Sequence, residues 1–319
     1  MSANFTSGWL GNGERAWHGE GVVTEGTLPA QEAFETADAL FTVEKRENYF
    51  INTNFGARSE DDRMWIPTGT YSVVRTDTQD FLGTVSGNYE LVQNTALLRM
   101  AEFIREEASM DAVVVLRKGA NVCFTATLNG SETDIVPGDT VKRRIIGYCG
   151  HDGKTGIGVK FTSIRVVCSN TLAFALGSNG AHRSVSHFNG ANENFDAIIK
   201  SIDCSRRDFA EECELMKEFA QYSMGESAFT EFIDEVYNVQ EGEKLRKREQ
   251  LERLYRYGLG YSYAPQTLWS AVNAVTELET STKNKTASES KRFFARSNFG
   301  LGLQVSKRAM KVATKLVTA

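Results

Sequence analysis

Proline is scarce in this chain, and cysteine comes in an odd number. Four prolines among 319 residues leave few rigid linkers, while 27 glycines suit many tight turns. The five cysteines (Cys123, Cys149, Cys168, Cys204, Cys213) form no Cys-x-x-Cys pair. That argues against a zinc framework and fits reduced thiols in a cytoplasm. No apolar run approaches the ~18–20 residues of a membrane span. The start, "MSANFTSGWLGNGERAWHG", lacks the basic-then-apolar layout of a secretory signal. Also missing are a G-x-S-x-G elbow, a dinucleotide fingerprint, a D-x-D-x-D-G loop and the zinc-deaminase signature. "SEDD" (Ser59 to Asp62) reads as a solvated acidic loop. No catalytic residue, cofactor or metal site is therefore expected, and Cys149, His151 and Cys168 read as structural thiols and a loop histidine.

What is present begins with "RRIIGYCGHDGKTGIGVKF" (Arg143 to Phe161), where Gly-Lys-Thr follows several glycines. A phosphate-binding P-loop needs G-x-x-x-x-G-K-[ST] followed by a helix. Here five residues separate Gly147 from Gly153, and "GIGVKFTSIRVV" is a β-branched run. Asp152-Gly153 between two such runs predicts a β-hairpin instead. Its charge is notable. Lys142, Arg143, Arg144, Lys154, Lys160, Arg165 and Arg183 stand against Asp152 alone between Val141 and Gly190. Nine more basic residues, Lys307, Arg308, Lys311 and Lys315 among them, stand against Glu289 from Ser281 onward. The net charge of −5 thus hides two basic blocks in an acidic remainder. A polyanion binder has this form when its basic residues gather on one surface.

The pattern predicts an α+β fold: an antiparallel β-meander packed with helices, then an all-helical part. Residues 1–190 form the first domain and 191–319 the second. Pro29 starts a helix, "FTVEKRENYFI" and "TYSVVRT" are strands, and "FLGTVSGNYELV" is a strand pair turning at Gly87-Asn88. Asn94 caps a helix whose Leu97, Leu98, Ala101 and Ile104 face a core. The meander folds back at Lys118-Gly119, and Ser169 or Asn170 caps a helix over "TLAFAL". Strand alternation places Lys142, Arg144, Ile146 and Tyr148 on one face. Single-strand binders combine such a basic ribbon with stacking faces. The expected nucleic-acid contacts are Lys142, Arg143, Arg144, Lys154, Lys160, Arg165, Lys307, Arg308 and Lys311, with Tyr148 and Phe161 stacking. In "QVSKRAMKVATKLVT", Val305, Ala309, Val312 and Leu316 form a narrow apolar stripe suited to an oligomer interface or the same polyanion surface.

"AWHGEG" (Ala16 to Gly21), "GTVSGNYELVQN" (Gly83 to Asn94), "GHDGKTG" with "IRVVCSNTL", and "TLWSAVNAVTE" (Thr267 to Glu277) occur in that order. Together they resemble the phage/plasmid-like protein family classed as domain of unknown function 932. The resemblance implies a mobile-element origin and action in a bacterial cytoplasm, and carries no catalytic residues. A meander followed by a helix also looks like the core of RecT/Redβ/Erf-type single-strand annealing proteins. The expected function is ATP-independent binding and annealing of single-stranded DNA by a homo-oligomer. The alternatives are a phage structural or protein-interaction protein, and an unrecognised nucleic-acid-processing enzyme.

Overall fold

The computed structural model describes residues 5–11, 21–52, 64–165, 170–172, 182–185, 195–240, 242, 245–280 and 301–318. Its centre is a mixed sheet ordered β10-β9-β8-β7-β6-β1-β2, with β11 also pairing β9. The strands are β1 (Phe5–Leu10), β2 (Val22–Val23), β6 (Ala108–Leu116), β7 (Asn121–Val136), β8 (Asp139–Gly150), β9 (Ile157–Arg165), β10 (Asn170–Leu172) and β11 (His182–Val185). From β6 to β9 it is an antiparallel meander. Long β-branched runs such as Val113 to Val115 are buried on both faces and so fill its middle. The β6–β7 turn closes through Lys118 and Gly119, both at positive φ. A second, three-stranded sheet is ordered β3-β4-β5, from β3 (Val43–Asn52), β4 (Met64–Arg75) and β5 (Phe81–Ser86).

One face of the meander carries Val113, Phe124, Leu128, Ile145 and Val159. It packs with Phe34 of α1 (Ala30–Thr36), with Leu97 and Ala101 of α2 (Asn94–Phe103), and with the three-stranded sheet. The other face carries a smaller cluster of Leu10, Ala112, Val114, Leu116, Cys123 and Tyr148. A further core is helical. It joins α3 (Phe195–Gln221), α4 (Glu226–Tyr237), α5 (Arg248–Tyr257), α7 (Leu268–Thr280) and α8 (Leu301–Thr318), with the short α6 (Leu259–Tyr263) against α7. Ile135 and Val141, at the far end of β7 and β8, belong to that helical core. The chain is therefore α+β, with all its strands before α3 and only helices from α3 onward among the described residues.

Three local expectations differ from the structure. Only Phe81–Ser86 forms a strand, with no second strand after Gly87-Asn88. Tyr89 and Leu91 instead pack against the first core, where burial outweighs β propensity. Asn94 is the first helical residue of α2 and Gln93 its cap position. The Asn94 side chain is buried, reaching the Phe41 carbonyl and His151. Asn170–Leu172 is a strand on the edge of β9 rather than the start of a helix. The unpaired edge of β9 captures it, and the rest of "TLAFAL" lies outside the described residues. So does the expected boundary near Gly190.

Candidate functional site

The Gly-Lys-Thr loop answers its own question. β8 and β9 form the expected hairpin, Val141 opposite Arg165 at one end and Cys149 opposite Ile157 at the other. In the connecting loop Asp152 Oδ1 accepts the main-chain N–H groups of Lys154 (2.9 Å) and Thr155 (2.7 Å). Its Oδ2 accepts from Thr155 Oγ1 (3.2 Å) and Arg117 Nη2 (3.1 Å). Burial pushes the Asp152 carboxyl up, but these N–H groups and the Arg117 charge outweigh it and hold it below its ordinary value. The N–H groups that a P-loop would turn on a phosphate are thus spent on the loop's own carboxylate. The loop is a latch between the sheets. Gly83 of β5 lies so close that an added Cβ would stand 2.6 Å from the Asp152 carbonyl. Gly153, at φ +72°, meets Thr84 in the same way. Neighbouring His151 is fully buried, its Nε2 2.8 Å from Asn94 Oδ1.

The hairpin's basic residues are mostly committed inward. Arg143 is buried against α3: Nε donates to Ser205 Oγ (2.8 Å), and Nη1 donates to Ser163 Oγ (3.0 Å) and Glu212 Oε2 (2.6 Å). Burial pushes Glu212 up to about 7, opposed by the Arg143 charge and the Ser163 hydroxyl. Arg144, on the opposite face, pairs with Asp111 at 2.9 Å, and Lys142 pairs with Glu132 at 2.6 Å. Tyr148 is buried in the smaller sheet cluster, and Phe161 packs on the first core. Arg143 and Tyr148 are thus buried inside the chain, and Lys142, Arg144 and Phe161, each partly buried, already have partners within it. Alternation identified their faces, but one face of β8 is buried throughout and the other is only partly open from Lys142 to Arg144. Lys154 is exposed at the tip. The Arg165 side chain lies outside those described.

Further positive charge lies along β9 and α8. β9 and α8 come together at the β10 edge of the sheet, since α8 packs on β10 and β10 pairs with β9. Lys160 of β9 is half-buried, and burial pushes its ammonium down to about 7, opposed by Cys123 and aided by the charge of Lys307 on α8. The two basic blocks of the sequence therefore meet. Lys307 and Lys311 are exposed, while Lys315 pairs with Glu235 at 3.2 Å. Arg308 is half-buried, and its Nε is enclosed without a hydrogen-bond acceptor among the described residues. The apolar stripe of α8 is spent within the chain. Val305, Ala309 and Val312 are buried, joined by Met310 and Ala313, against α7, α4 and α3. That corrects the expectation that the stripe faces a partner: Met310 and Ala313 widen it into an ordinary core face.

Among the described residues no three His, Cys, Asp or Glu side chains gather as metal ligands. Burial pushes the thiols of Cys123 and Cys149 up to about 12, which makes them poor nucleophiles. An open cavity of about 480 Å³ is lined by Tyr255, Tyr257, Tyr261, Gln266 and the ion pair Glu226–Arg256. Its charged groups already satisfy each other. The polar residues of "TLWSAVNAVTE" are also structural. Trp269 Nε1 donates to buried Asp139 (2.8 Å), Asn273 Nδ2 to the Trp269 carbonyl (2.8 Å), and Glu277 accepts the Leu259 N–H (3.2 Å).

No helix among the described residues is long and apolar enough to cross a membrane. No curated protein and no solved structure matches the chain. A family model matches residues 81–299, a range that leaves out the "AWHGEG" segment but holds the other four shared stretches. With more than half of its length matched, the chain belongs to the family described as Domain of unknown function (DUF932).

Proposed function

We propose that this protein binds single-stranded DNA without chemical turnover, as a homo-oligomer, at the seam between β9 and α8. The observation that carries the reading is the packing of α8, which bears Lys307 and Lys311, on β10, the strand paired with the β9 that bears Lys160. Folding sets like charges side by side at a cost, and a polyanion laid over them offsets it. Exposed Lys311 continues the row on α8. Of the β8–β9 hairpin, Lys160 on β9 and exposed Lys154 at the tip take part. Annealing of strands, origin in a mobile element and action in a bacterial cytoplasm are finer parts of the proposal. Mobile-element origin and cytoplasmic action are supported by the shared segments alone, and annealing by the basic seam; a likeness of family or fold alone assigns no function.

The test is the double variant Lys307→Glu with Lys311→Glu, titrated with a generic oligonucleotide over a range of salt. Both residues are exposed, so the fold is expected to persist by circular dichroism. Affinity should fall for every sequence, and the slope of log affinity on log salt should shrink by ~0.7 per lost phosphate contact. Unchanged affinity and slope would remove the seam as the binding surface.

A further inference from the structure

The three-stranded sheet ends in an arm. β5 pairs with β4 only from Thr70 to Val74. β3 and β4 run on together from Tyr49–Pro67 to Asn52–Met64. On this two-stranded extension Tyr49 is 48%, Phe50 50%, Ile51 40% and Trp65 62% exposed. Phe50 pairs with Ile66, and Ile51 with Trp65, so successive pairs face opposite sides and both sides are apolar. A ribbon of two strands is marginal by itself in water, and monomers rarely expose contiguous apolar patches of this kind. The outer edge of β3 has no strand partner among the described residues. Its N–H and C=O groups form an open template. The arm's base has no surplus charge for a nucleic acid. Glu44, Lys45, Arg46 and Glu47 cancel, Arg46 is bound to Glu44, and the Lys45 ammonium is held by the Gly87 and Tyr89 carbonyls.

We infer that this arm joins two copies of the chain: β3 of one copy pairs antiparallel with β3 of a second across a twofold axis. The two three-stranded sheets become one of six strands, with Tyr49, Phe50 and Ile51 of both copies side by side across the seam and Trp65 one strand behind, against Ile51. This assigns a surface to the homo-oligomer proposed above, independently of where DNA binds. A second copy fits because an antiparallel edge is self-complementary under a twofold rotation and leaves no further β3 edge open. The neutral base brings no net repulsion across the axis.

Sedimentation velocity of the full chain decides the matter, with the double variant Phe50→Thr, Trp65→Thr as comparison. Threonine keeps the strand propensity while removing the apolar surface. The wild type should sediment as a dimer, or an even multiple, at micromolar concentration. The variant should need at least ~10-fold higher concentration to associate, with circular dichroism and oligonucleotide affinity per chain unchanged. A monomeric wild type overturns the inference, and so does a variant that assembles as the wild type does. Should the variant misfold, Tyr49→Cys in the otherwise natural chain replaces it. Mild oxidation should then yield an intermolecular disulfide that Thr78→Cys, in an exposed turn off the arm, does not yield. Equal cross-linking at both positions overturns the inference, whatever the DNA titrations give.

Discussion

Arg143 and Arg144 are neighbours in sequence and point to opposite faces of β8. Arg143 enters the interface with α3 and meets Glu212, while Arg144 meets Asp111 on the other side. A buried guanidinium keeps its charge, so it demands a partner and stays structural. Glu212 yields instead. Burial raises its carboxyl from the ordinary 4.5 to about 7. Between those values the unfolded chain has released the proton and the folded chain still holds it. The stability tied to this group is then fully present below pH 4.5 and is lost as pH rises through about 7. Glu212→Gln, which imitates the protonated acid, should remove that slope. Urea midpoints of wild type and variant at acid and mildly basic pH check it, and parallel pH dependence in both would refute it.

At the scale of elements, the contact between the two sheets rests on absent side chains. Gly83 in β5 lets the strand touch the Asp152 loop with no Cβ between them. Gly83→Ala forces backbone against backbone and should destabilise the protein by ~1–3 kcal/mol. Gly26→Ala is the control, because nothing lies within 4 Å of its added Cβ, and it should stay within about 0.5 kcal/mol. Chemical denaturation of the two variants separates the outcomes. Equal stabilities would mean that the latch gives way freely.

On the scale of the whole molecule, strands and helices share a core. Ile135 and Val141 of the meander pack among the helices, and Trp269 of α7 reaches back to Asp139 on β8. The helical part therefore cannot lose its packing without exposing the end of the sheet. Met310→Ala, deep in α8, should cost ~2–5 kcal/mol. It should shift a single unfolding transition in which tryptophan fluorescence and circular dichroism coincide. Two separated transitions, with the sheet signal unmoved by Met310→Ala, would show that the two parts unfold independently.

Periodicity made much of this fold legible before any coordinates. The meander, its turn at Lys118-Gly119, the hairpin after Gly150, and the faces of α2 and α8 follow from spacing and turn chemistry, which are local properties. Family membership was legible too, because it resides in short ordered segments. The site was not. Whether a lysine or arginine is free depends on which acid folding brings to it. Glu212 lies 69 residues from Arg143, and Asp111 lies 33 from Arg144. No local pattern encodes those encounters. The same holds for the meeting of Lys160 with Lys307 and for the bare arm of β3 and β4. Exposure is what remains after every other element has found its place, so it belongs to the tertiary structure alone.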